Sequence, residues 1–64
     1  MEAYQQRVID ERRLLEEKIK NLRVFIASKT FDSLDKQDRE LLGTQASIMI
    51  SYSAILAKRI ARWQ

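Results

Sequence analysis

The sequence predicts an all-α fold: two long antiparallel helices form a hairpin, a short helical turn sits in the connection, and the hairpin assembles into a homo-oligomer. Three observations predict it. Chain-breakers are nearly absent, with no proline and Gly43 as the only glycine, so little interrupts a long helix. Apolar residues recur at helical spacing in two long stretches separated by a brief irregular one. The second stretch carries more apolar surface than one neighbouring helix can cover.

The first helix is read from Glu2 to about Ser28. Val8, Leu15, Ile19, Leu22 and Ile26, with Tyr4 one turn upstream, fall on a single stripe. Ile9, Leu14 and Phe25 broaden it. Acidic and basic residues alternate elsewhere, and Glu16 with Lys20 has the favourable i,i+4 order for an ion pair.

The stretch Ser28 to Asp35 breaks the pattern. Thr30 is a candidate cap for one short turn, which would tuck Phe31 and Leu34 inward at an i,i+3 spacing. Asp35 is a good N-cap for the next helix, with Asp38 placing a second acid in its first turn. So short a connection requires the two long helices to run antiparallel.

The second helix is read from about Lys36 to Arg62. One apolar stripe comprises Leu42, Ala46, Met49, Leu56, Ile60 and Trp63, interrupted by Ser53. A second, on an adjacent face, comprises Leu41, Ile48, Tyr52 and Ile55. A third line is of small residues: Gly43, Ser47, Ser51, Ala54, Ala57 or Lys58, and Ala61. Such a line suits close helix packing and alternatively leaves room for a ligand.

Residues 1–64 are read as one domain. A chain of this length buries only about 60% of its unfolded surface and needs outside support. Small folds find that support in disulfides, a metal or oligomerisation. The absence of Cys and His removes the first two in their usual forms, leaving self-association. No apolar run is long enough to span a membrane. The N-terminus has no signal-peptide core, so a cytosolic protein is expected.

The same composition argues against catalysis. Ser47, Ser51 and Ser53 have no evident activating base, and Gly43 stands alone rather than in a phosphate-binding loop. No enzyme activity, metal or cofactor is expected. Binding is the better reading. The formal net charge is +3, and all nine acids precede Leu41, whereas Lys58, Arg59 and Arg62 are the only charges after it. Tyr4, Arg7, Glu11 and Lys18 project from successive turns near one side of the first helix. An aromatic face can stack a base, and a cation can meet phosphate. The plainer alternatives are a helix-end residue for Tyr4, a solvated flank for Lys18 and dipole complementation for Arg59 and Arg62.

The order of residues adds a resemblance. Tyr4, Arg7 and Val8, Glu11, Leu15, Glu17 to Ile19, Leu22, Phe25 and Ile26, Thr30 and Phe31, Leu34, Leu41, Met49, Tyr52, Leu56, and Arg59 with Ile60 together resemble the phage anti-CBASS cyclic-oligonucleotide sponge family. The helical hairpin of that family is shared with a sponge that counters Thoeris defence. The resemblance covers nearly the whole chain. It implies a homohexamer in the cytoplasm of an infected bacterial host that sequesters cyclic oligonucleotide signals without cleaving them. It also implies that cyclic dinucleotides sit between protomers, with Tyr4 stacking on a base and Lys18 meeting phosphate. Arg7 and Lys20 are alternatives for the phosphate role. Arg59 matches an arginine with which some members bind cyclic trinucleotides at a separate site. The rival is a dimeric two-helix RNA-binding hairpin similar to Rop, or a plain helical scaffold. The acids along the first helix suit RNA binding poorly, because RNA favours an unbroken basic face. No polymeric nucleic acid or membrane partner is expected.

Overall fold

Local capping sets the ends of each helix. The computed structural model describes residues 1–64 and contains three helices, α1 (Ala3–Ile26), α2 (Lys29–Asp32) and α3 (Lys36–Ala61). At the start of α1, the Glu2 backbone N–H donates to Gln5 Oε1 at 2.9 Å, which satisfies one donor at the helix end. At the start of α3, Asp35 Oδ1 accepts from the Asp38 N–H at 2.8 Å, the cap expected from the sequence.

The short turn is capped differently from the expectation. Ser28, not Thr30, holds the extended backbone of an N-cap, and its Oγ accepts from the Phe31 N–H at 3.3 Å. Thr30 lies inside the turn, where its helical backbone rules out that role. Ser28 Oγ also donates to the Phe25 carbonyl at 2.6 Å, so one hydroxyl ends α1 and begins α2. Phe31 and Leu34 are half-buried as expected. The Phe31 ring meets Phe25 edge-on, with centroids 6.2 Å apart.

The long helices pack antiparallel in a rod of 46 × 14 × 14 Å. Their contact runs along the stripes read from the sequence. Val8 and Ile19 of α1 face Ala46, Ser53 and Leu56 of α3, and these five are the only buried residues. Leu56 is fully buried. Ser53 sits within the apolar stripe, and its carbonyl accepts from Arg12 Nε at 3.4 Å. Arg12 also pairs with Glu16 at 3.4 Å. Glu16 therefore turns toward Arg12 rather than Lys20, because Arg12 is already anchored over α3 while Lys20 is exposed.

Leu56 is the residue on which this small core most depends. Leu56→Ala should destabilise the hairpin by about 2–5 kcal/mol, the range for emptying a buried leucine site. Chemical denaturation would read this as a lowered midpoint. A midpoint unchanged from wild type would mean that the α1–α3 contact contributes little to stability.

Most of the small-residue line of α3 is left uncovered by the hairpin, although Gly43 and Ala57 are half-buried. Ser47, Ser51, Ala54 and Ala61 are exposed, and a Cβ placed on Gly43 would meet nothing within 4 Å. The hairpin is held chiefly along the neighbouring stripe of Ala46, Ser53 and Leu56. The second apolar stripe is also uncovered: Leu41, Ile48, Tyr52 and Ile55 are all exposed, Ile48 by 64%.

Candidate functional site

Two contacts between the long helices define the two sides of the rod. On one side the Tyr52 hydroxyl donates to Glu11 Oε2. On the other, Arg12 reaches the Ser53 carbonyl. Helical spacing then assigns the remaining residues. Tyr4, Arg7, Leu14 and Lys18 lie seven, four, three and seven residues from Glu11, and so share its side of α1. Leu41, Ile48, Ile55 and Arg59 share the side of α3 that carries Tyr52 by the same spacing.

Four of the five candidate site residues, Tyr4, Arg7, Lys18 and Arg59, therefore line one side of the hairpin. Lys20 does not. It borders a groove of ≈ 580 Å³ on the opposite side, lined among others by Ile9, Arg12, Arg13, Glu16 and Ile60. Lys20 and Tyr4 of one chain thus face different surroundings. The three ion pairs of the chain join Arg12 to Glu16, Arg13 to Asp10 and Lys36 to Glu40. Arg7, Lys18, Lys20 and Arg59 take part in none, and all four are exposed.

The Glu11–Tyr52 bond organises the centre of this side. It raises the Tyr52 hydroxyl above its ordinary value, first through the hydrogen bond to Glu11 and then through desolvation and the charge of Glu11. Arg59 acts in the opposite direction, so its positive charge is felt by the same hydroxyl. Tyr52, like any tyrosine, is protonated and able to donate at neutral pH, and the shift extends that state to higher pH. Its hydroxyl was not legible in a sequence pattern that counted Tyr52 only as apolar surface.

Tyr4 is 49% exposed on the first turn of α1. Its ring meets Trp63, just beyond α3, with centroids 5.7 Å apart and planes at 84°. Tyr4 and Lys18 do not converge within one chain. They are separated by fourteen residues of one helix, a rise of about 21 Å, which a single nucleotide unit does not span. One protomer can offer a stacking ring or the Lys18 ammonium to a given nucleotide, but not both.

Comparison with known proteins identifies the lineage of this arrangement. A family model described as Sequestin matches residues 2–62. The chain belongs to the Sequestin family. No curated protein matches it, and neither does any solved structure. The Sequestin span includes all three helices together with Tyr4, Arg7, Lys18, Lys20 and Arg59, and it stops one residue before Trp63. No helix of this Sequestin chain is long and apolar enough to cross a membrane. No group of three or more acidic side chains gathers at metal-binding distance.

Proposed function

We propose that this Sequestin chain is a non-catalytic sponge that binds cyclic oligonucleotide second messengers and so blocks bacterial CBASS antiviral signalling from the cytoplasm of an infected host. The Sequestin match carries the sequestering part of this reading. The cyclic nucleotide part is supported by a stacking ring and three unpaired cations on one side of the hairpin, beside an uncovered apolar stripe. The working form is a homo-oligomer, a hexamer by the resemblance. The exposed Leu41, Ile48, Tyr52 and Ile55 supply apolar surface for it, and the exposed small residues of α3 allow a second helix to approach closely.

Oligomerisation would also solve the separation of Tyr4 from Lys18. A pocket between protomers takes the ring from one chain and the ammonium from another. Binding then consists of stacking on Tyr4 and charged hydrogen bonds from Lys18, with Arg7 close to Tyr4 as a further cation. Lys20 is a less suitable partner within this pocket because it lies on the other side of α1.

The test is retention without conversion. A cyclic dinucleotide is incubated with excess protein, unbound ligand is removed, the complex is denatured by heat, and the supernatant is chromatographed. Retained ligand recovered intact supports a sponge. Linear products would reveal a hydrolase, and absence of retention would sink the reading. Light scattering separates it from the Rop-like alternative, since a dimer would favour the latter.

Arg59 is assigned to cyclic trinucleotides. Symmetry in an oligomer gathers several copies of it, and like charges in proximity are costly unless phosphates neutralise them. Arg59→Ala should weaken cyclic trinucleotide binding while sparing cyclic dinucleotides in calorimetric titrations. Equal loss of both, or of neither, would contradict separate sites.

A further inference from the structure

We infer that Trp63 is the positioning residue for the Tyr4 ring, holding it ready to receive a base; this inference rests on the cyclic nucleotide reading above. Tyr4 lies at the very start of its helix. It occupies the second position of α1, preceded only by Ala3 within the helix, and nearly half of its surface faces solvent. An aromatic side chain so near a helix start has little from its own helix to hold it. A ring that rotates freely gives up that freedom on stacking, and the loss weakens binding.

Trp63 takes that freedom away before any ligand arrives. Its N–H donates to the Ile60 carbonyl at 3.0 Å, which fixes its backbone as α3 ends. Its ring is half-buried and perpendicular to that of Tyr4 at a centroid distance of 5.7 Å. This is the preferred geometry of an aromatic pair, positive ring edge against negative ring face. The perpendicular arrangement matters for function. If the Trp63 edge meets a Tyr4 face, the opposite Tyr4 face is not covered by Trp63. If the Tyr4 edge meets the Trp63 face, neither Tyr4 face is covered by it. A parallel stack would have occupied a face that a base needs.

The contact joins residues from opposite ends of the chain, and only the antiparallel hairpin brings them together. Tyr4 lies within the Sequestin span whereas Trp63 lies outside it. The device is therefore read from this chain's own geometry. Trp63 is also the only tryptophan, so its emission reports directly on what happens at Tyr4.

The test uses the full-length protein and two probes, cyclic di-AMP and cyclic di-GMP. Trp63→Leu keeps apolar bulk at the end of α3 but removes the ring, and Trp63→Phe restores a ring. Calorimetry should show Trp63→Leu weakening whichever dinucleotide the wild type binds by about tenfold, with Trp63→Phe recovering most of the loss. In the Tyr4→Ala background, Trp63→Leu should cost almost nothing more, because a positioning residue has nothing left to position. Ligand addition should change Trp63 emission in the wild type and not in Tyr4→Ala. Undiminished binding by Trp63→Leu would overturn the inference, as would an equal further loss in the Tyr4→Ala background. Wild-type protein that binds neither probe would remove the cyclic dinucleotide reading and the inference together, an outcome distinct from wild-type binding that ignores Trp63.

Discussion

Tyr4→Ala and Lys18→Ala should each weaken cyclic dinucleotide capture by two orders of magnitude or so, with the oligomer intact. Stacking one base on an aromatic ring is worth about 1–3 kcal/mol by alanine substitution. A hydrogen bond from a charged group contributes about 1.5–3 kcal/mol. Each factor of ten in affinity corresponds to about 1.4 kcal/mol. A cyclic dinucleotide has two bases and two phosphates, so a symmetric pocket engages two copies of each side chain and each substitution is felt twice. Neither residue is buried in the hairpin, and Lys18 has no ion pair to lose. The fold should therefore tolerate both changes. Isothermal titration calorimetry beside light scattering would check this. Wild-type affinity in either variant would remove that residue from the pocket.

Ile48→Asp should abolish assembly. Ile48 is 64% exposed in the single hairpin, so the substitution should cost the α1–α3 contact little. Its main cost should fall on the contact between protomers, where a buried and unpaired carboxylate is unfavourable by several kcal/mol. Because a single hairpin buries only five residues, the released chain should be weakly folded, and its helix content should depend on protein concentration. Light scattering should give a lower mass than wild type, and circular dichroism should report the loss of helix on dilution. An assembly of unchanged mass would mean that the Ile48 stripe faces solvent in the oligomer as well.

Much of the fold is legible because helical period and capping chemistry are local. The stripe from Val8 to Ile26 and the stripe from Leu42 to Trp63 identify the packed faces without reference to a partner. Asp35 announces the start of α3 by residue type and position. The Ser28 cap was less legible, since Ser28 and Thr30 carry the same chemistry and only the backbone decides between them. The expected Glu16–Lys20 pair failed for a different reason. Spacing permits both Lys20 and Arg12 to reach Glu16, and the anchoring of Arg12 on the Ser53 carbonyl selects Arg12.

The candidate site divides in the same way. That Tyr4, Arg7, Glu11 and Lys18 share a side follows from α1 alone. That Lys20 lies on the other side of α1 follows from the same period, nine residues from Glu11; that Arg59 joins them depends on how α3 is rotated against α1, which periodicity does not specify. The Glu11–Tyr52 bond and the Tyr4–Trp63 pair fix that rotation. A hairpin register drawn from the short connection places both pairs at matching heights, the one signal of them that the sequence carries.

The Tyr4–Trp63 contact gives the rod two unlike poles. The beginning of α1 and the end of α3 share one pole, while the α2 connection occupies the other, some 46 Å away along the long axis. Any peptide joined to either terminus emerges beside the same aromatic pair and within reach of Arg7 and Arg59. Affinity handles and fluorescent fusions at the two termini are thus equivalent in their risk of obstructing ligand entry. The distal pole is where a reporter belongs: Ser33 is exposed there, between Ser28, which caps the start of α2, and Asp35, which caps the start of α3. A chain cut at that pole and joined across the other would keep both long helices while moving its free ends away from Tyr4, Arg7 and Arg59.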